Sequence, residues 1–117
     1  MIRLKRAYEP AEASDGRRVL VERLWPRGVT KRRLRLDEWA KDVAPSPALR
    51  RWFGHDPRRW AEFRRRYFAE LRANRAAWQP LLALARRGRV TFVYAARDLE
   101  HNGAIALKAF LDGRPRS

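Results

Sequence analysis

The sequence predicts an α/β domain, with a small, mostly parallel sheet of three or four strands flanked by about four helices. Three observations predict it. Two apolar runs rich in β-branched residues, at 19–21 and at Val90–Tyr94, read as buried strands. Stretches of helical periodicity fill the segment between them, and a further one follows the second strand. Strand, helices, strand, helix in that order implies parallel pairing through crossover helices. The 117 residues suit a single compact domain, placed at 1–113, with a short basic tail at 114–117.

Taken in order, Ile2–Arg6 alternates apolar and charged residues, as a half-buried strand does. Residues 9–17 carry Pro10, Ser14, Asp15 and Gly16, the chemistry of a loop ending in a turn. The run at 19–21 then empties into 23–28, where Pro26 and Gly28 stop regular structure. Leu34, Leu36 and Trp39 fit either a strand or a short helical turn. Ser46 and Pro47 supply an N-cap and a first-turn proline for a helix that stops at Gly54. Asp56 and Pro57 repeat the device at the head of a long helix, expected over 57–74, with Trp60, Phe63, Tyr67 and Leu71 on one face. A third helix is expected over 78–87 with Gly88 at its end. A final helix follows the loop after Tyr94 and ends at Gly113.

Composition narrows the function classes. The chain has no cysteine, which excludes a disulfide framework, a thiolate nucleophile, an Fe–S cluster and cysteine-ligated zinc. Nothing resembles a signal peptide or an apolar membrane span, so a cytoplasmic protein with no membrane partner is expected. The net charge is +15, carried by 28 Lys and Arg against 13 Asp and Glu. That charge fits a nucleic-acid partner, and it equally fits an arginine-rich composition whose excess is solvated surface.

Ligands in open α/β sheets usually sit beyond the carboxyl ends of strands. Two loops qualify, 23–28 and 94–102. In the second, Arg97 is suited to clamp a phosphate or carboxylate, and Asp98 to orient His101 as an acid–base pair. The same residues read as plain capping groups, with Asp98 or Asn102 closing the helix and Glu100 complementing its dipole. His55 and Asp56 fall between two helices, where Gly54 and Asp56 need only end one and cap the next. Two histidines and a carboxylate without motif spacing point to no metal, and no cofactor signature is present.

Four blocks in the chain carry a family resemblance: Val-Leu-Val-Glu-Arg-Leu-Trp-Pro-Arg-Gly at 19–28, Asp-Glu-Trp-Ala-Lys-Asp-Val-Ala-Pro-Ser at 37–46, Trp-Phe-Gly-His-Asp at 52–56, and Tyr-Ala-Ala-Arg-Asp with His-Asn at 94–102. Together they resemble the YeaO-like bacterial proteins, a domain-of-unknown-function family, over about residues 2–111. The resemblance implies a compact cytoplasmic α/β domain in which the four blocks share one surface, and it carries no reaction. Longer members of the wider group bear cysteines near the loop matching 94–102. This chain has Ala95, Ala96 and Asn102 there, so thiol chemistry does not transfer.

Those blocks place unusual residues in loops. A concave site lined by Trp25, Trp39 and Tyr94, with Arg23, Arg27, Lys41 and Arg97 around an anion and Asp42 and Asn102 nearby, would use them. Alternatively, the tryptophans plug the sheet edge and the arginines pair with neighbouring carboxylates. The sequence therefore leads to a small anionic ligand, phosphate- or nucleotide-like, held between 23–28 and 94–102. The competing expectation is a nucleic-acid-binding module on the face carrying Arg58, Arg59, Arg64, Arg65 and Arg66. An interaction protein with no ligand is the third. The sequence identifies no reaction, and whether the protein is an enzyme stays open.

Overall fold

The structure, a computed structural model, describes residues 1–114, so the tail expected at 114–117 lies outside the described residues except for Arg114. In chain order it contains β1 (Ile2–Arg6), β2 (Arg17–Leu20), α1 (Lys31–Leu34), β3 (Glu38–Trp39), α2 (Pro47–Phe53), α3 (Trp60–Ala73), α4 (Arg75–Arg87), β4 (Val90–Tyr94) and α5 (Gly103–Asp112). The fold is α/β, with four strands in the order β1-β4-β2-β3. Every pairing is parallel, and Phe92 stands between Leu4 and Val19 across the sheet.

The central position falls to β4, whose five residues are all buried. A strand covered on both faces needs an unbroken apolar run, and Val-Thr-Phe-Val-Tyr supplies one. At the edge, β1 alternates Arg3 and Lys5 with Ile2 and Leu4, a pattern that discourages pairing with another chain. Side chains alternate between two clusters. Val19, Val21, Val90 and Phe92 join the larger core with residues of α2, α3, α4 and α5, while Leu20 and Val93 join a smaller one with Ala7, Val29 and Leu34. The longer helices thus cover one face, and α1 with its flanking loops covers the other.

Several element bounds differ from the sequence reading. β2 begins at Arg17, two residues early, because Arg18 is buried although it is charged. Residues 34–39 divide into the end of α1 and the two-residue β3. Residues 57–59 form a 3-10 turn leading into α3, and α4 begins at Arg75 and contains Pro80.

The start of α2 follows the expected signal. Ser46 Oγ accepts the Leu49 N–H at 3.2 Å and donates to Glu70 of α3 at 2.6 Å. Ser46→Ala removes both bonds and is expected to cost about 1–2 kcal/mol, read as a lower urea midpoint with an unchanged slope. A loss of a few tenths would mean that solvent replaces both bonds.

Candidate functional site

Because β2 and β4 run parallel, their carboxyl ends reach the same edge of the sheet and then diverge. The Val21 N–H still reaches the Val93 carbonyl at 3.2 Å. One step further the ladder passes to side chains. Glu22 Oε1 accepts the Ala95 N–H at 2.8 Å, and Arg6 donates to the carbonyls of Ala95 and Ala96 at 3.0 Å each. These bonds hold the 95–96 backbone beside a cavity of about 440 Å³ whose lining includes the first residues of α5. The volume falls within the usual range for small-molecule sites, about 300–1,000 Å³.

The four sequence blocks all contribute to its wall: Glu22 and Arg23, Ala44 and Pro45, Phe53 and His55, then Ala95, Ala96 and Asn102. Helix α2 adds Arg50 and Arg51. Arg23, Arg50 and Arg51 have no carboxylate within 4 Å among the described residues. Arg23 reaches the Ala44 carbonyl only at 3.4 Å, and its Nε is buried with no hydrogen-bond partner. His55 has φ of 56°, a left-handed conformation uncommon outside glycine. Sites of this kind often carry such strain.

The loop at 94–102 is organised by Asp98. Its carboxylate accepts the Glu100 and His101 N–H groups at 2.9 and 3.0 Å and meets His101 Nδ1 at 2.9 Å. The Glu100 N–H, followed by the imidazole and the backbone of His101, holds the Asp98 carboxyl below its ordinary range against the effect of desolvation. The His101 ring stands edge-on to Trp60 at 5.3 Å. Asn102 caps α5: its Oδ1 accepts the Ile105 N–H at 2.9 Å, and its Nδ2 donates to the Asp98 carbonyl at 2.8 Å. The capping roles and the Asp–His pairing therefore coexist. The Gly103 and Ala104 N–H groups at the head of α5 have no partner among the described residues.

Of the expected site residues, the cavity gathers only Arg23 and Asn102. Trp25 and Trp39 instead pack edge to face at 5.3 Å, each donating its indole N–H to a backbone carbonyl, and Lys41 lies over the Trp39 ring at 4.0 Å. Tyr94 is buried in the larger core, and burial pushes its phenol up. Arg27, Asp42 and Arg97 are exposed, and Asp98 and His101 stand beside the cavity, outside its lining. Sequence reasoning missed Glu22, Arg50 and Arg51, and it set His55 aside as a residue between two helices. One signal was available for two of them: no acidic residue lies three or four positions from Arg50 or Arg51, so neither has a helical ion-pair partner.

Fold and cavity together define a single α/β domain with a ligand-sized, cation-lined cleft at the carboxyl edge of a parallel sheet. The chain belongs to the family described as the inactive DUF488-N3 subclade, which matches residues 1–116. It is 43% identical over 110 residues to the uncharacterized protein YeaO of Escherichia coli (strain K12), covering 94% of this chain and 96% of that one. It is also 44% identical over 113 residues to the uncharacterized proteins Rv3073c of Mycobacterium tuberculosis (H37Rv) and Mb3100c of Mycobacterium bovis, covering 97% of this chain and 95% of each. No solved structure matches it. No helix among the described residues is long and apolar enough to cross a membrane.

Proposed function

We propose that the protein binds a small phosphate-bearing anion in the cavity between 23–28 and the head of α5. The observation that carries this reading is the buried Arg23 Nε without a partner, in a cleft where Arg50 and Arg51 also lack carboxylates. A buried donor left unsatisfied costs about 1–3 kcal/mol, a cost relieved when the guanidinium turns to meet an anion in the cleft. The unpaired Gly103 and Ala104 N–H groups and the positive end of the α5 dipole favour the same charge. Arg97 and Arg27 would act from outside the cleft, by attracting the ligand.

Two further considerations favour this over the alternatives. Arg64 lies over the Trp60 and Phe68 rings, and the other arginines of the competing face are paired: Arg58 and Arg59 with Asp56, and Arg65 and Arg66 with Glu62. Those two guanidiniums bring the Glu62 carboxyl down to about 2, so the pairing persists across physiological pH. The Asp98–His101 pair would shape the loop, and the description of the family as inactive supports binding over chemistry.

Inorganic phosphate is expected to raise the melting temperature of the wild type saturably, and Arg23→Ala to weaken that binding about tenfold or more. Without ligand, Arg23→Ala should melt close to wild type, since it loses only the long 3.4 Å bond to the Ala44 carbonyl while removing an unsatisfied buried Nε. Arg65→Ala should leave phosphate binding intact. No saturable shift in the wild type, or equal losses in the two variants, would remove this reading. Tight oligonucleotide binding lost in Arg65→Ala would turn attention to α3.

A further inference from the structure

Glu22 puts a carboxylate into the wall of a cleft whose other charged side chains include Arg23, Arg50 and Arg51. Its Oε1 is used by the Ala95 N–H, and its backbone carbonyl accepts the Trp39 indole N–H at 2.7 Å. Its Oε2 accepts no hydrogen bond among the described residues, and no Lys or Arg among them lies within 4 Å of the carboxylate. For clipping one backbone N–H a glutamine would serve equally well. It would also spare an anionic ligand the repulsion of a nearby negative charge. A spare carboxylate oxygen in the cleft wall is placed to accept a donor that a ligand brings. The size of the cleft points the same way: about 440 Å³, with Val21, Pro45, Phe53 and Phe63 in its lining, leaves apolar wall that a lone phosphate would not cover.

We infer that the ligand carries a hydroxyl or amino donor beside its phosphate, and that Glu22 reads this donor through Oε2. The class is a phosphorylated sugar or nucleotide in place of inorganic phosphate. This rests on the phosphate reading above and adds a specificity residue to it. A site built to accept a hydrogen bond discriminates strongly against an analogue that lacks the donor.

The test compares inorganic phosphate with ribose 5-phosphate by calorimetry, on the wild type and on Glu22→Gln. Glutamine keeps an oxygen for the Ala95 N–H and replaces the second oxygen with an amino group. The wild type should bind ribose 5-phosphate about tenfold tighter than phosphate or better. In Glu22→Gln the gap should close, with phosphate bound more tightly and the sugar phosphate more weakly. A purely structural Glu22 would change both ligands in parallel. Equal affinities in the wild type, or a gap that survives in Glu22→Gln, overturns the inference while leaving the phosphate site standing. Binding of neither probe by the wild type overturns both.

Discussion

Asp15→Ala is expected to destabilise the protein by about 3–5 kcal/mol, the usual consequence of removing one partner from a buried ion pair. Asp15 is 2% exposed. Its carboxylate lies 2.6 Å from Arg18 Nη1 and 3.1 Å from Lys5 Nζ, and it also accepts the Glu12 N–H at 3.0 Å. The Arg18 side chain is only 5% exposed, and its Nη2 already lacks a partner. Without Asp15 that guanidinium is a buried charge with no counter-charge. Domains of this kind hold about 5–15 kcal/mol in total, so the variant should sit near the edge of folding at 37 °C. Urea denaturation measures it, and a loss under about 1 kcal/mol would show that the triad relaxes to solvent.

The same residue sets an acid limit. Burial works to raise the Asp15 carboxyl, but the Glu12 N–H, Lys5 and Arg18 outweigh it and hold the group below its ordinary value. Because the folded value is depressed, the contribution is complete above the unfolded value of about 3.9. It is lost as pH falls through the folded value. Wild-type stability should therefore fall off below about pH 4, and Asp15→Asn should flatten that limb.

Gly16→Ala should be comparably severe, costing about 3 kcal/mol or more. Gly16 has φ of 66° and ψ of −139°, a region nearly closed to other residues. A methyl group there would also stand 2.3 Å from the Arg89 carbonyl oxygen, which accepts the Arg17 N–H at 3.1 Å. The obstacle is backbone, so it cannot rotate away, and the first rung between β2 and the approach to β4 must shift. Gly28 provides the control: its φ is 77°, but nothing lies within 4 Å of an added Cβ. Gly28→Ala should cost only the conformational strain, about 1 kcal/mol. Equal losses at the two positions would show that the Arg89 contact contributes nothing.

The parts of this fold that were legible in sequence are those fixed by local chemistry. Val90–Tyr94, the Ser46–Pro47 start and the Trp60, Phe63, Tyr67, Leu71 stripe each declare themselves within a few residues. The start of β2 was hidden because Arg17 and Arg18 look like loop residues until Asp15, in the turn before the strand, is seen to neutralise Arg18. The site divided in the same way. Loops 23–28 and 94–102 were located from topology, and the structure brings them together at Arg23 and Asn102. Trp25, Trp39 and Lys41 look equally suited to a ligand in sequence, but they satisfy one another on a different surface. The contribution of Arg50, Arg51 and His55 depends on how α2 docks, which no local pattern encodes.

The strand order has a consequence for how the chain is made. Among the described residues β4 is the last strand in chain order, yet it is the only partner of β1 and the main partner of β2. During synthesis residues 1–89 hold β1 with no strand partner and β2 paired only with the two-residue β3, and the four-stranded sheet assembles only when residues 90–94 arrive. Nascent chains halted before that point should be captured by chaperones and cut by protease. Chains released some twenty residues later should escape both.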